Sequence, residues 1–512
     1  MKTTATDRGA GHAIVIGAGF GGLAAAIRLL ARGHTVELFE RHADPGGRAR
    51  CLTLDGTRFD AGPTVITAPF LFAELFQRLG ERLEDSVDLI PVEPFYRMEF
   101  ADGSHFDYGG SIADTMAEID RIAPGEGARY PDFYRAAEAR YQRGFRDLAT
   151  VPFTRLADML RILPDLIRLR ADRSVYAMVA RHFTDERLRR AFSVPSLLVG
   201  GNPYRTSSLY TLIHVLEREG RVWFPRGGTG ALVDGLLDLF RRHGGVVRAG
   251  QPVMRLATSA GRVDGAVDSH GHIHPADLIV SNVDPLHVYR HWLPASGIKR
   301  LHNALRGRMK QSMGLFVVYF TTDRRYSELE HHTILFGDSF REILTDVFDH
   351  LIIPTDLSLY LHRPTATDPG MAPPGRDAFY VLAPVPNLRG GHDWEALAPA
   401  LTERILGLLS NRLMPDLWQK LRATHTVTPR YFADELNSPY GAGFSIAPTL
   451  TQSAGLRFHN QSRSYSNLYF VGAGTHPGAG VPGVVASAAV VDHLLDRETV
   501  SGARHEPLPE SP

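Results

Sequence analysis

A glycine-rich turn between a buried strand and a helix limits the fold of this chain more than any other feature. Residues 17–22 read GAGFGG, which fits the pattern GxGxxG. The run from His12 to Gly17 is continuous and mostly apolar, which is typical of a strand buried on both faces of a parallel sheet. Leu23 to Arg32 predicts a helix, and Thr35 to Phe39 predicts the next strand. This order indicates a βαβ unit and an α/β fold with a Rossmann-like domain.

The residues of the turn suit a dinucleotide. Gly17 permits a tight turn out of the strand, Gly19 lets the backbone approach a pyrophosphate, and Gly22 lets the helix pack closely on the strand. Phe20 and Gly21 start the helix, whose free N–H groups and dipole face the phosphates. A purely structural turn is the alternative interpretation. The motif alone does not distinguish NAD from FAD.

The residues after the second strand narrow the choice. Glu40 ends that strand, about 20 residues after the turn, where an acid can bind a ribose hydroxyl. Residues 44–49 read DPGGRA, which taken alone could be a loop with a solvated arginine. In this position the run resembles the GGR element of the amine oxidase and carotenoid desaturase flavoproteins. The resemblance implies FAD, with close approach at Gly47 and a phosphate contact from Arg48.

Further motifs extend the resemblance from about Ala13 to Leu494. They are FDAGPT at 59–64, GGNP at 200–203, WFPRGGT at 223–229, SLYLHRPTATDP at 358–369, YVLAPVP at 380–386, PTLTQSAGLRFHN at 448–460 and NLYFVGAGTHPGAGVPGV at 467–484. In this order they are similar to bacterial phytoene desaturases, the carotenoid desaturase branch of the amine oxidase-like flavoproteins. The resemblance implies an FAD-dependent enzyme that introduces conjugated double bonds into phytoene and gives neurosporene- or lycopene-type products. A desaturase or oxidase of a modified carotenoid and a carotenoid isomerase remain alternatives.

The resemblance also implies cofactor contacts outside the first βαβ unit. The segment 59–64 is expected to pass beside the flavin ring. In the run 467–484, the glycines and the start of the last helix are expected to lie next to the cofactor. The implied contacts are Gly62, Pro63, Val253, Gly474, Gly483 and Val484.

Desaturation removes a hydride from one carbon and a proton from its neighbour, and the sequence does not assign the proton acceptor. Asp60, Asp284 and Asp434 are candidates by residue type, and a solvated loop carboxylate is the favoured alternative for each. His476 stands where many related amine oxidases carry an acid. It could act as a base, and a structural role is favoured.

The length of 512 residues predicts more than one domain. We predict an FAD-binding domain assembled from residues 12–90, 222–285 and 460–497, and a mixed-sheet substrate-binding domain from residues 91–150 and 286–459. Residues 151–221 are predicted to form a helical, membrane-associating region, and residues 498–512 a disordered tail. The pattern from Phe95 to Phe224 predicts mainly helices. Met309 to Thr322 and Ala378 to Ala383 predict strands, and Gly483 to Leu495 a final helix.

Charge and cysteine content exclude several classes of protein. The formal net charge is zero, so a basic footprint for nucleic acid is absent. Cys51 is the one cysteine, which excludes an intramolecular disulfide and a thiolate metal cluster, and we predict no metal. No second dinucleotide motif is visible, so oxygen or a membrane quinone is the predicted electron acceptor. The oligomeric state stays open.

The substrate implied by the resemblance dissolves in bilayers, which makes an amphipathic segment relevant. Residues 154–190 contain nine arginines against five acids, together with a series of large apolar residues. Such a helix can lie in the headgroup plane of a membrane, while a core helix with a salt-bridged face is the alternative. The N-terminus shows no signal peptide and no apolar run spans a bilayer. We therefore predict a cytoplasmic protein bound peripherally to the membrane.

Overall fold

Five parallel strands form the first sheet, which we call the parallel sheet. The computed structural model of the chain describes residues 11–294 and 308–502. Each strand pairs in parallel with its neighbours. In spatial order the strands are Leu468–Phe470, Leu278–Ser281, His12–Ile16, Thr35–Phe39 and Val246–Arg248. They come from three separated stretches of the chain, and the predicted α/β fold is confirmed.

Three long helices pack around the parallel sheet. They are Phe20–Ala31, Thr229–Arg242 and Val481–Gly502. Leu23, Leu236 and Val485 share one apolar core with Val15 of the central strand. The final helix is longer than predicted and contains the first residues of the predicted tail, while residues 503–512 lie outside the described residues.

Seven strands form a second sheet, which we call the large sheet. In spatial order they are Leu421–Val427, Gly314–Thr322, Asp377–Val385, Leu359–His362, His332–Leu335, Tyr96–Glu99 and His105–Tyr108. One neighbouring pair is parallel and the others are antiparallel, so the sheet is mixed, as predicted.

A 19-residue helix, Trp394–Arg412, covers one face of the large sheet. Phe316 and Phe320 pack in the same buried cluster as this helix. Leu315 and Tyr319 alternate with them along the strand and line a cavity on the other face. Because successive strand residues point to opposite faces, one strand supports both a core and a cavity wall.

The stretch from Phe95 to Phe224, predicted to be mainly helical, begins with two strands. Tyr96–Glu99 and His105–Tyr108 form a hairpin at the edge of the large sheet. Their buried residues alternate with half-buried ones, as period-two packing requires. The helices that follow are Ile112–Ile122, Tyr130–Tyr141, Leu156–Arg168, Val175–Val179, Glu186–Ser193 and Leu212–Gly220.

Three smaller sheets and several short helices complete the described fold. The sheets are Val253–Ser259 with Arg262–Asp268 and Ile273–Pro275, Cys51–Leu54 with Thr57–Asp60, and Leu89–Pro91 with Trp223–Pro225. The helices are Pro69–Arg78, Pro285–His287, Phe340–Thr345, Leu417–Lys420 and Pro429–Asp434. Within residues 11–294 and 308–502, no helix is both long and apolar enough to cross a bilayer.

Candidate active site

A cavity of about 700 Å³ lies between the carboxyl ends of the parallel strands and one face of the large sheet. The parallel-sheet side contributes glycine-rich turns and the charged residues Glu40 and Arg48. The large-sheet side contributes apolar and aromatic residues such as Leu315, Tyr319 and Phe336. Open α/β sheets bind their ligands at this carboxyl edge.

The GxGxxG turn forms part of the cavity wall. Gly17 has a φ of 96°, in the left-handed region that favours glycine. A Cβ atom on Gly19 would lie 2.9 Å from Nδ2 of Asn282, and the helix begins at the next residue. Gly22 does not line the cavity, because it packs so closely that a Cβ there would lie 1.9 Å from the carbonyl oxygen of Gly17. Phe20 and Gly21, the first two residues of the helix, line the cavity.

Glu40 joins the turn to the second strand. Its Oε2 accepts a 2.8 Å hydrogen bond from the Ala18 amide, and its Oε1 accepts a 3.0 Å bond from the His42 amide. The side chain is buried from bulk solvent but lines the cavity. Val253 also lines the cavity. It lies two residues after Gln251, whose amide donates a hydrogen bond to the Glu40 carbonyl oxygen.

The GGR segment touches the first turn. Gly46 and Gly47 have φ values of 127° and 57°, and a Cβ on Gly47 would lie 3.3 Å from the Cα of Gly19. Nη2 of Arg48 donates to Ser438 Oγ at 3.2 Å, while its buried Nε has no partner among the described residues. Burial lowers the pKa of this guanidinium. A buried cation with an unused donor, next to glycine backbones, suits a phosphate group.

Three tyrosines of the large sheet hold the segment 61–64. Tyr319 OH donates to the Ala61 carbonyl oxygen and Tyr380 OH donates to the Gly62 carbonyl oxygen, each at 2.9 Å. Tyr360 OH lies 2.7 Å from Oγ1 of Thr64. Gly62, Pro63 and Thr64 all line the cavity. The large sheet therefore fixes this segment against the cavity.

A buried histidine cluster stands behind these tyrosines. His332 Nδ1 lies 2.6 Å from Tyr360 OH, and Nε2 of His362 lies 3.1 Å from Nε2 of His331. Burial lowers the pKa of His331 to about 3 and those of His332 and His362 well below the ordinary value. The three rings are therefore neutral, and His332 is the one of the three whose ring nitrogen contacts the Tyr360 hydroxyl.

The C-terminal glycine run reaches the cavity only in part. Gly472 and Val484 line it. Gly474 and Gly483 do not line it, because each packs closely against other parts of the chain. A Cβ on Gly474 would lie 2.6 Å from Pro285 Cδ, and a Cβ on Gly483 would lie 2.6 Å from the Gly478 carbonyl oxygen. These two glycines allow close packing behind the wall.

The four candidate bases lie outside the cavity lining. Asp60 is buried and accepts a bond from the Gly230 amide at 3.2 Å, and burial raises its pKa to about 6. Asp284 accepts from the Leu286 amide at 2.9 Å and from Ser445 Oγ at 2.5 Å, and burial raises its pKa. Asp434 is exposed. Asp434 is therefore solvated, but it is the last residue of the helix Pro429–Asp434 and does not lie in a loop. The solvated-loop interpretation is wrong for Asp60 and Asp284, which cap the starts of helices.

His476 has a structural environment. One ring nitrogen, Nε2, lies 2.9 Å from the Leu148 carbonyl oxygen, and the ring packs edge-on against Phe153 with centroids 4.8 Å apart. Burial lowers its pKa to about 4, so the ring is neutral. These contacts tie the glycine run to the helical region.

Two cavity residues were missed by the sequence predictions. Asn282 follows a strand of the parallel sheet, and added Cβ atoms on Gly19, Gly21 and Gly472 would all lie within 3 Å of its side-chain amide. Glu217 is a buried acid on the helix Leu212–Gly220. The signal in the sequence is an acid at the end of the mostly apolar run LIHVLE, 212–217, within the stretch predicted to be mainly helical.

The cavity fits the FAD that the resemblance implies. Three glycines, Gly19, Gly21 and Gly47, leave space for close approach at its polar end. Arg48 offers an unpaired buried donor there, and Glu40 lies at the ribose position of a Rossmann turn. The donor set suits a diphosphate joined to a ribose.

Comparison with known proteins agrees with this geometry. The model of the family described as flavin containing amine oxidoreductase matches residues 20–490. The chain is 47% identical to a lycopene-forming phytoene desaturase of Pseudescherichia vulneris, over 94% of this chain and 98% of the relative. It is 39% identical to a neurosporene-forming phytoene desaturase of Rhodobacter capsulatus, over 98% and 96% of the two chains.

Solved structures share the fold at low identity. An oxidoreductase from Methanosarcina mazei superposes with a TM-score of 0.62 at 19% identity, covering 94% of this chain and 100% of that one. A putrescine oxidase bound to putrescine superposes with a TM-score of 0.61 at 14% identity, covering 96% and 99%. The family match and the identity to the two desaturases show that the chain belongs to the flavin-containing amine oxidoreductase family, in the group of the bacterial phytoene desaturases.

Proposed function

We propose that this protein is an FAD-dependent phytoene desaturase that introduces conjugated double bonds into phytoene, with products of the neurosporene or lycopene type. The observation that carries the proposal is the 47% identity, over 94% of this chain, to a lycopene-forming phytoene desaturase. The apolar wall of the cavity supports it, because a hydrocarbon offers no polar group for recognition.

The proposed cofactor contacts follow from the residues that line the cavity. Amides at the start of the helix Phe20–Ala31 and the guanidinium of Arg48 would hold the diphosphate. Glu40 would bind a ribose hydroxyl, and Val253 would contact the same half of the cofactor. Gly62, Pro63, Gly472 and Val484 would lie along the ring.

The chemistry divides between cofactor and chain. When bound, FAD supplies the acceptor for the hydride that desaturation removes. The chain's residues exclude water and align the hydrocarbon: Leu315, Val317 and Tyr319 form one wall, and Ile213 and Leu216 belong to another segment of the lining. Alignment at near-contact distance is a large part of such catalysis.

We further propose that the protein binds the membrane surface through the helix Leu156–Arg168. Leu160, Leu163 and Ile167 are 61%, 46% and 64% exposed, and their spacing sets them on one side of the helix. Exposed arginines, including Arg161 and Arg168, accompany them. Apolar residues beside arginines suit an interface of acyl chains and anionic headgroups.

Quinone or oxygen is the proposed electron acceptor. A lipid-soluble quinone could reach the cavity from the same bilayer as phytoene. The sequence offers one dinucleotide motif, which in this proposal binds FAD.

Incubation of the purified protein with phytoene in liposomes and FAD tests the function. We expect coloured products, whose visible spectra shift as conjugation lengthens and so distinguish neurosporene from lycopene. Conversion of a modified carotenoid while phytoene stays intact would instead support the alternative activities.

A further inference from the structure

Glu217 places a carboxyl group in the wall of the cavity. It lines the cavity together with Ile213 and Leu216 of its own helix. Its Oε1 accepts a 2.8 Å hydrogen bond from Tyr96 OH. Its Oε2 is buried and has no hydrogen-bond partner among the described residues. Buried polar atoms are nearly always paired, so an unpaired carboxylate oxygen at a cavity wall needs an explanation.

The helix that carries Glu217 packs against the chain that continues from Pro63. Thr64, Val65 and Thr67 of that chain line the same cavity. The contact is so close that a Cβ on Gly220 would lie 2.0 Å from the Thr67 carbonyl oxygen. The helix of Glu217 is thereby fixed to the chain that leads away from the segment proposed to run along the cofactor ring, and both line one cavity.

Other carboxyl groups are less suited to accept a proton in the cavity. Both oxygens of Glu40 accept backbone amides. Asp60 and Asp284 lie outside the lining. Glu435 also lines the cavity, but its side chain is only half-buried, and its Oε2 lies 3.8 Å from Nε2 of His42.

We propose that Glu217 is the residue that takes the proton from the substrate during desaturation, an inference that rests on the proposed function. A hydride leaves one carbon with two electrons, for which the flavin is the acceptor. The neighbouring carbon loses a proton, which forms an O–H bond on Glu217, and the electron pair of that C–H bond becomes the second bond of the new double bond. In the overall balance, the proton on Glu217 passes to solvent, and the two electrons of the hydride, together with two protons, reduce a quinone to a quinol or oxygen to hydrogen peroxide.

The surroundings make Glu217 a strong base for a carboxylate. Burial raises its pKa to about 8, against the smaller, lowering effects of the Tyr96 hydrogen bond and of Arg218. The titratable groups packed around it are Tyr96, Tyr108, Tyr130, His214 and Arg218. Burial raises the pKa of each tyrosine and lowers that of His214 to about 4, so these four are neutral. Arg218 donates to Tyr130 OH and to backbone carbonyls.

The test compares the holoprotein with Glu217→Gln, which keeps the side-chain size and the acceptor for Tyr96. We expect unchanged flavin content and phytoene binding, and a single-turnover desaturation rate at least about 100-fold lower. In the wild type the rate should rise about tenfold between about pH 7 and pH 9 as the carboxyl ionises, and in the variant it should not. Glu217→Asp should restore part of the pH dependence. Glu219→Gln, on an exposed acid of the same helix, should match the wild type.

Infrared spectroscopy of the substrate-free holoprotein gives a second readout. The carbonyl band of a buried protonated carboxyl group should titrate near pH 8 in the wild type and be absent in Glu217→Gln. Tyr96→Phe removes a donor that stabilises the carboxylate, so its midpoint should move to higher pH. If the wild type is active and Glu217→Gln is equally fast, or keeps the pH-dependent rate, then Glu217 is not the proton acceptor. The proposed function would still stand in that case. A wild type that forms no desaturated product overturns the proposed function, and this assignment falls with it.

Discussion

Replacing three exposed residues of the helix Leu156–Arg168 should detach the protein from membranes without unfolding it. The substitutions are Leu160→Ser, Leu163→Ser and Ile167→Ser. Ile162 on the same helix is 4% exposed and packs inward, so it is left intact. The exposed side chains contribute little to the folded core, and their loss should leave the flavin site unchanged.

The size of the effect follows from the exposed fractions. Burying a large aliphatic side chain contributes about 2 kcal/mol, and each of these three has between 46% and 64% of its surface still to bury. Each should therefore contribute roughly 1 kcal/mol on entering the bilayer, or roughly 3 kcal/mol together. Since about 1.4 kcal/mol is a tenfold change in an equilibrium constant, the partition coefficient should fall about 100-fold.

Liposome flotation with anionic lipid measures this change, with flavin absorbance as the check on folding. A matched control replaces three apolar residues of similar exposure elsewhere, Val246, Ile273 and Ile352, with serine. The control should float like the parent. Equal flotation of the helix variant and the parent would refute the reasoning and assign this face of the helix to another contact.

Three further predictions concern the cavity. Gly19→Val should give a protein without bound flavin, because the added carbons enter the space beside Asn282 that the cofactor needs, and a yellow, active variant would contradict this. His476→Asn should lower the melting temperature, because the hydrogen bond to the Leu148 carbonyl oxygen is lost, and should leave the rate per bound flavin nearly unchanged. A large fall in rate at full flavin occupancy would instead show that His476 is catalytic. Anaerobic desaturation should stop without an acceptor and resume with a soluble benzoquinone but not with NAD⁺, and full rescue by NAD⁺ would reveal a nicotinamide site.

The elements that the sequence predicted well are those with local signatures. The turn at Gly17 needs a positive φ, and the helix after it begins where that turn ends. The continuous, mostly apolar run at 12–17 marked the central strand of the parallel sheet, because a strand covered on both faces has no polar side. Because each of these requirements is met within a few consecutive residues, the sequence pattern is enough to predict them.

The missed features depend on contacts between distant segments. Asn282 reaches the glycine turns only because its strand pairs with His12–Ile16, some 265 residues earlier. The hairpin that begins at Tyr96 has four-residue strands, too short for a clear period, and is stabilised as an edge of the large sheet. Gly474 and Gly483 carry a family signature, but the packing around them decides whether they face the cavity.

One physical property of the cavity connects the substrate, the base and the cofactor in this interpretation. An apolar wall lets a hydrocarbon displace water, and the same lack of water raises the pKa of Glu217. A carboxyl group that rests protonated costs less to bury than a carboxylate, and once ionised it is a stronger base than one in solvent. Charged groups with fixed partners, Glu40 and Arg48, belong to the part of the cavity formed by the glycine turns. The separation of charged and apolar walls would therefore let one cavity hold a dinucleotide and remove a proton from a hydrocarbon.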